Sequence, residues 1–74
     1  MGVALVTGAS SGIGRATAAA LNQAGYRVFG TSRKARTESD DGITMLVCDV
    51  TDDASVQKMV AEVLRQAGRI DLLV

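Results

Sequence analysis

The fold of this 74-residue chain is decided by the stretch Val3-Ala4-Leu5-Val6-Thr7-Gly8-Ala9-Ser10-Ser11-Gly12-Ile13-Gly14. Its first residues form a continuous apolar run, which is typical of a strand covered on both faces in a parallel sheet. A glycine-rich segment follows, and an alanine-rich segment with helical spacing comes next. We therefore predict a strand over residues 3–7, a turn over residues 8–12 and a helix over residues 13–24, which ends at Gly25.

The rest of the chain continues this alternation of strands and helices. We predict strands over residues 27–31 and 44–48 and from Ile70 onward, with a polar loop over residues 32–42. A second helix is predicted between a cap at Asp52 and a stop at Gly68, because apolar side chains recur at helical spacing at Val56, Met59, Val60, Val63 and Leu64. Right-handed crossovers then give an α/β fold with a doubly wound parallel sheet of strand order 3-2-1-4.

The first helix is predicted to lie close to this sheet. Small side chains allow a short distance between a helix and the strands beneath it, and this helix is rich in alanine. We expect the face toward the sheet to consist of Ala16, Ala19, Ala20 and Leu21.

Composition excludes several classes of function. Eight Lys and Arg balance eight Asp and Glu, and one Tyr, one Phe and no Trp leave little aromatic surface, so we expect no nucleic-acid partner. No apolar run approaches the roughly 20 residues that span a bilayer, so we expect no membrane segment. With one cysteine and no histidine, neither an intrachain disulfide nor a metal site is predicted, and a cytoplasmic location is expected.

The glycines of the predicted turn have separate roles in a phosphate site. Gly8 allows a tight turn, Gly12 leaves space where a Cβ would block a pyrophosphate, and Gly14 lets the helix approach the strand. Backbone N–H groups and the helix N-terminus then converge where a phosphate can sit. The alternative is that the turn only connects a strand to a helix. The strand before it and the helix after it favour a dinucleotide cofactor.

The end of the second strand indicates which dinucleotide fits. Ser32 lies near the spacing at which an acidic residue holds the 2′-hydroxyl of NAD. That carboxylate is absent here, and Arg33 supplies a guanidinium that can hold a phosphate bidentately. We therefore predict NADP(H) rather than NAD(H). The alternative is that Arg33, Lys34 and Arg36 belong to an ordinary solvated loop.

Asp49 and Val50 follow the third strand at its carboxyl end, beside the crevice where doubly wound sheets bind ligands. The Asp49 carboxylate could accept a hydrogen bond from the amino group of an adenine. Alternatively, Asp49 and Asp52 only cap the helix that follows. The sequence leaves both interpretations open.

Several segments together resemble the short-chain dehydrogenase/reductase family. Residues 7–14 resemble its TGxxxGIG cofactor motif, and Thr31-Ser32-Arg33 resembles the NADP-preferring end of its second strand. The segment Cys48-Asp49-Val50-Thr51 resembles its adenine-contact segment, and residues 69–74 resemble the approach to its Asn-Asn-Ala-Gly turn.

The resemblance implies a Rossmann-type fold and assigns roles to particular side chains. Ser10, Ser11 and Ile13 would line the phosphates and ribose, Arg33 the 2′-phosphate, and Asp49 with Val50 the adenine. Some NADP-preferring members carry a basic residue where this sequence has Ser11, so the cofactor preference rests on Arg33 alone.

The family transfers a hydride between a nicotinamide and a carbonyl or alcohol, using a Ser, a Tyr and a nearby Lys in a YxxxK motif. That motif is missing here, because the only tyrosine, Tyr26, has Gly30 four residues on. We interpret residues 1–74 as the N-terminal part of a dinucleotide-binding domain, truncated before the catalytic segment, and assign no catalytic residue. The parent enzyme is expected to be a homo-oligomer that acts on a small-molecule substrate.

A second interpretation is a non-catalytic nucleotide-binding half-domain that self-associates. It would do so through the unpaired edge of its fourth strand and through a second-helix face that nothing covers. That helix face consists of Val56, Met59, Val60 and Val63.

Overall fold

Two helices and a four-stranded parallel sheet make up residues 2–9, 12–33 and 42–74, the part of the chain that the computed structural model describes. The strand order is β3-β2-β1-β4, which confirms the predicted doubly wound α/β fold. In chain order the elements are β1 Val3–Val6, α1 Gly12–Gln23, β2 Arg27–Ser32, β3 Thr44–Val47, α2 Asp53–Ala67 and β4 Leu72–Leu73.

β1 lies between two hydrophobic cores. All four of its residues are buried, as the continuous apolar run predicts. Successive side chains of a strand point to opposite faces of the sheet. Val3 and Leu5 accordingly join a core that α2 covers, whereas Ala4 and Val6 join a core that α1 covers. The first core also contains Phe29, Cys48, Met59 and Val63, and the second contains Ala9, Ala18, Val28 and Ile43.

α1 contacts the sheet through a face that matches the predicted one only in part. Leu21 packs against the core as predicted, and Ala19 is half-buried. Ala16 and Ala20 are exposed, however, and Ala18, which was not predicted, is fully buried. Gly14 lies against the Gly8 carbonyl, and Ala18 lies four residues further along the same face. The contact at Gly14 thus explains why Ala18 is buried, and the prediction was wrong for Ala16 and Ala20.

α2 begins and ends where the sequence predicts. The Asp52 side chain accepts a hydrogen bond from the N–H of Ala54 at 3.0 Å and so caps the first turn. At the other end Gly68 adopts the left-handed conformation, and its N–H donates to the Leu64 carbonyl at 2.8 Å. Both ends of the helix thus have the capping bonds that isolated helix termini lack.

The apolar face of α2 is covered by the sheet. Met59 and Val63 are buried, and Val56 and Val60 are half-buried against the same core. The expectation that this face stays open for self-association was therefore wrong, because these side chains are already used in the core beneath the helix.

β4 begins at Leu72 rather than Ile70, because the residue before it pairs partly through its side chain. The N–H of Asp71 donates to the Val3 carbonyl at 2.8 Å, and the N–H of Val3 donates to Asp71 Oδ2 at 2.8 Å. Asp71 Oδ1 accepts a hydrogen bond from Arg69 Nε at 3.0 Å. The hydrogen bonds from Arg69 and then from Val3 lower the pKa of Asp71 below its ordinary value of 3.8.

We expect the pairing of β4 with β1 to weaken in acid. Because folding lowers the pKa of Asp71, its carboxylate stabilises the fold above the ordinary pKa, and this contribution is lost as the pH falls through the folded pKa. Asp71→Asn keeps an acceptor for Val3 but removes the charge. The variant should have a smaller free energy of unfolding than the wild type at about pH 7, and the difference should shrink toward about pH 3. Urea titrations at several pH values measure this.

Asp71→Ala is the matched control, since it removes the acceptor as well as the charge. It should be less stable than Asp71→Asn at every pH. A difference between wild type and Asp71→Asn that stays constant with pH would contradict this role of the carboxylate.

Candidate functional site

The segments that carry the predicted site residues lie side by side at the carboxyl edge of the sheet. β1, β2 and β3 are adjacent and parallel, so their carboxyl ends share one edge. Ser32, at the end of β2, is paired with Val47, at the end of β3. Gly8, Arg33 and Asp49 each follow one of these strand ends. The sheet therefore brings together three parts of the predicted site that are distant in sequence.

The glycines after β1 have the geometry that a close approach to the backbone requires. Gly8 and Gly12 adopt left-handed φ angles of 64° and 61°, and a Cβ built on either would meet no described atom within 4 Å. A Cβ on Gly14 would lie 2.2 Å from the carbonyl oxygen of Gly8. The beginning of α1 therefore lies against the turn at a distance that only glycine permits, and no described atom occupies the space that a side chain at Gly8 or Gly12 would take.

The first N–H groups of the turn are used within the fold. Thr7 N–H donates to the Val74 carbonyl at 3.0 Å, and the Thr7 hydroxyl donates to the same oxygen at 2.9 Å. Gly8 N–H donates to Thr31 Oγ1 at 3.2 Å, and Ala9 N–H donates to the Thr31 carbonyl at 3.0 Å. These three N–H groups hold the turn in place, so they are not donors for an anion.

The beginning of α1 supplies the remaining donors. The first N–H groups of an α-helix have no intrahelical acceptor, and the helix dipole favours negative charge at this end. In α1 these groups belong to Gly12, Ile13 and Gly14, and the side chain of Ile13 is 86% exposed. Ser10 and Ser11, which the sequence also assigns to the phosphates, lie outside the described residues. Within the part of the turn and helix that the structure describes, the N–H groups at the beginning of α1 are thus the ones available to an anion.

Ser32 and Arg33, at the end of β2, differ in exposure. β2 extends through Ser32, one residue beyond the prediction, and Ser32 is buried, with its carbonyl accepting a hydrogen bond from Cys48 N–H at 2.9 Å. Arg33 is exposed. Of the two residues predicted to distinguish the dinucleotides, only Arg33 thus lies at the surface. The alternative of a solvated loop also involves Lys34 and Arg36, which fall outside the described residues.

Asp49 is fixed by a local turn and does not cap α2. Its Oδ1 accepts hydrogen bonds from the N–H of Thr51 at 2.9 Å and from the Thr51 hydroxyl at 2.6 Å. Its own N–H donates to Ser55 Oγ at 2.9 Å. Because Asp52 makes the capping bond, the two aspartates have different roles, which the sequence could not distinguish.

The Asp49 carboxylate is stabilised in its ionised form. The hydrogen bonds from the hydroxyl and the N–H of Thr51 lower the pKa of Asp49, and the positive charge of Arg33 acts in the same direction. A cation after β2 and a carboxylate after β3 are therefore near enough to interact. Val50 follows Asp49 in the chain, and 55% of its surface is exposed, so an apolar side chain adjoins the carboxylate.

Sequence reasoning missed Thr31. This residue is only 1% exposed and bonds two residues of the turn. A signal was present, because a hydroxyl within an otherwise buried strand needs a hydrogen-bond partner.

Other kinds of site are not found in residues 2–9, 12–33 and 42–74. These residues contain no cluster of three or more His, Cys, Asp or Glu side chains that could hold a metal ion. Within the same ranges, neither helix has the length and hydropathy needed to span a bilayer.

A parallel sheet of order 3-2-1-4 with a glycine-rich turn after its central strand defines a nucleotide-binding α/β protein. The sequence model of one such family, described as short chain dehydrogenase, matches residues 2–74. The chain therefore belongs to the short-chain dehydrogenase family of oxidoreductases.

Relatives with similar sequences and structures extend well beyond the matched region. The chain is 44% identical over 72 residues to 3-ketodihydrosphingosine reductase of Bacteroides thetaiotaomicron, covering 97% of this chain and 26% of that protein. It is 40% identical over 77 residues to sorbitol dehydrogenase of Cereibacter sphaeroides, covering 96% and 30%. A crystal structure of a short-chain dehydrogenase from Streptomyces avermitilis superposes with a TM-score of 0.88 at 42% identity, covering 99% and 30%. The chain thus spans less than a third of these proteins.

We expect Gly14→Ala to destabilise the protein although alanine is the better helix former. The added Cβ would meet the Gly8 carbonyl oxygen at 2.2 Å, which is a backbone atom and cannot rotate away. Overpacking of this kind costs about 1–3 kcal/mol, whereas helix propensity alone would stabilise the variant by about 1 kcal/mol. The free energy of unfolding should therefore fall. Ala16→Gly, at an exposed position of α1, is the control for propensity. A more stable Gly14→Ala protein would refute the close contact.

We expect Thr51→Val to raise the pKa of Asp49 toward its ordinary value, because both the hydroxyl bond and the turn that it supports are weakened. Thr51→Ser keeps the hydroxyl and should leave the pKa low. An NMR titration of the Asp49 carboxyl carbon measures both variants. Equal pKa values in wild type and Thr51→Val would show that Thr51 does not hold this carboxylate.

Proposed function

We propose that this chain is the NADP(H)-binding part of a short-chain oxidoreductase that transfers a hydride between NADP(H) and a carbonyl or alcohol group of a small-molecule substrate. The observation that carries the proposal is the contact of Gly14 with the Gly8 carbonyl, with no described atom in the space that a side chain at Gly8 or Gly12 would take. A pyrophosphate needs such access to backbone N–H groups. When bound, the nicotinamide would donate or accept the hydride.

The pyrophosphate is assigned to the beginning of α1. N–H groups of Gly12, Ile13 and Gly14 would donate to its oxygens, and the resemblance to the family assigns Ser10 and Ser11 to the same phosphates. The turn before α1 contributes its shape, because its own first N–H groups are bonded to Val74 and Thr31. The N–H groups and the dipole of α1, rather than cationic side chains, would then hold the negative charge of the pyrophosphate.

The 2′-phosphate is assigned to Arg33. An acidic residue at position 32 would repel that group, but Ser32 is neutral and buried. Arg33 follows it at the exposed end of β2, and a guanidinium can bind a phosphate through two parallel hydrogen bonds. These features support a preference for NADP(H) over NAD(H).

The adenine is assigned to Asp49 and Val50. The low pKa of Asp49 keeps a carboxylate oxygen available as an acceptor for an amino group, and Thr51 fixes its orientation. The exposed Val50 side chain offers an apolar surface to a planar ring. The proposed adenosine site therefore lies between the ends of β2 and β3.

Proton transfer to or from the substrate is not assigned to any residue of this sequence. Such a step needs a donor or base within hydrogen-bond reach of the reacting oxygen. Tyr26 lies beside Gly2 at the opposite edge of the sheet, where a Cβ on Gly2 would be 2.8 Å from the tyrosine ring. Cys48 is buried in the core beneath α2. By analogy with the family, the enzyme would be a homo-oligomer whose catalytic groups lie outside this sequence.

Titration of the intact protein with NADPH and NADH, followed by nicotinamide fluorescence, tests the proposal. Arg33→Ala should weaken NADPH binding by about 1.5–3 kcal/mol, the range for a hydrogen bond to a charged group, and leave NADH binding nearly unchanged. Lys58→Ala removes the same charge from an exposed position of α2 and serves as the control. Equal losses for both cofactors would contradict the assignment of Arg33, and no binding of either by the wild type would contradict the proposed function.

A further inference from the structure

We infer that Thr31 is the positioning residue of the glycine-rich turn. From β2 it holds Gly8 and Ala9, and through them it sets where the first N–H groups of α1 lie at the carboxyl edge of the sheet. This inference deepens the proposed function and rests on it, because it concerns how the backbone N–H groups of the same site are held in position.

Thr31 accepts hydrogen bonds from two consecutive residues of the turn. Thr31 Oγ1 accepts from Gly8 N–H at 3.2 Å, and the Thr31 carbonyl accepts from Ala9 N–H at 3.0 Å. Thr31 is 1% exposed, and its β-branched side chain has restricted rotation about χ1. Water is therefore excluded from Thr31, and the acceptor oxygen has a fixed direction.

Gly30, the residue before Thr31, packs closely against the turn. A Cβ built on Gly30 would lie 2.6 Å from the Cβ of Ala9 and 2.8 Å from the Sδ of Met45. The methyl group of Ala9 therefore occupies the space that a side chain at position 30 would need. Gly30 and Thr31 together fix the turn by contact and by hydrogen bonding.

The turn is in direct contact with the helix end that carries the proposed pyrophosphate donors. A Cβ on Gly14 would lie 2.2 Å from the Gly8 carbonyl oxygen, so the first turn of α1 lies directly against the residue that Thr31 holds. A shift of Gly8 must move that helix end or open a gap beside it. Thr31 thus fixes the position of the proposed pyrophosphate donors, which NADPH and NADH share.

Two substitutions separate anchoring from packing. Thr31→Val keeps the shape of the side chain but removes the acceptor, whereas Thr31→Ser keeps the acceptor and removes a buried methyl group. We expect Thr31→Val to weaken NADPH and NADH binding by the same factor of about three to ten, which is the value of one neutral hydrogen bond. We expect Thr31→Ser to bind both cofactors as the wild type does, although it unfolds at a lower temperature.

The measurements are fluorescence titrations with NADPH and NADH, thermal unfolding, and hydrogen exchange of the Gly8 amide in the intact protein without cofactor. Exchange at Gly8 should be faster in Thr31→Val and unchanged in Thr31→Ser. The inference is overturned if Thr31→Val binds as tightly as the wild type, or if cofactor affinity simply follows thermal stability in the two variants. It is also overturned if the ratio of NADPH to NADH affinity changes in Thr31→Val.

The exchange measurement distinguishes failure of this inference from failure of the proposed function. If the wild type binds neither cofactor, the proposed function is wrong, and the role of Thr31 in cofactor binding is wrong with it. If the wild type binds NADPH but Gly8 exchanges equally in all proteins, only the inference about Thr31 is wrong.

Discussion

The contact between Gly14 and the Gly8 carbonyl oxygen is the constraint on which the rest of this structure depends. It brings the beginning of α1 against the end of β1, and it sets the rotation that buries Ala18. The same contact leaves the first N–H groups of α1 at the carboxyl edge of the sheet. One side chain at position 14 would separate the helix from the turn, so the packing of one core and the geometry of the candidate site share a single requirement.

Much of the fold follows from short-range features of the sequence. The buried apolar run of β1, the cap at Asp52 and the stop at Gly68 were all predicted, because each depends on neighbouring residues and on general rules for strands and helix ends. The face of α1 was predicted only in part, through Leu21. Ala16, Ala18 and Ala20 are chemically identical, and only contact with another element decides which of them is buried.

The site was predicted less completely than the fold for the same reason. The positions of the glycines and of Arg33 can be recognised in the sequence, but the hydrogen bonds that hold the turn cannot. Gly8 and Ala9 donate to a residue more than twenty positions away, and Thr7 donates to one at the far end of the chain. Asp49 and Asp52 were likewise both candidates for the cap of α2, and they are distinguished only by the N–H group that each side chain reaches.

Along β2, the residues that hold the turn come directly before the residues at the exposed strand end, and this order affects how cofactor preference can change. In the site that we propose, Gly30 and Thr31 hold the turn that would bind the pyrophosphate of any dinucleotide, whereas the exposed Arg33 would contact the 2′-phosphate that distinguishes NADP(H). A substitution at position 33 changes an exposed side chain and leaves the buried anchors of the turn in place. In the proposed site, cofactor preference can therefore change through a single substitution at position 33 without disturbing the contacts that hold the turn.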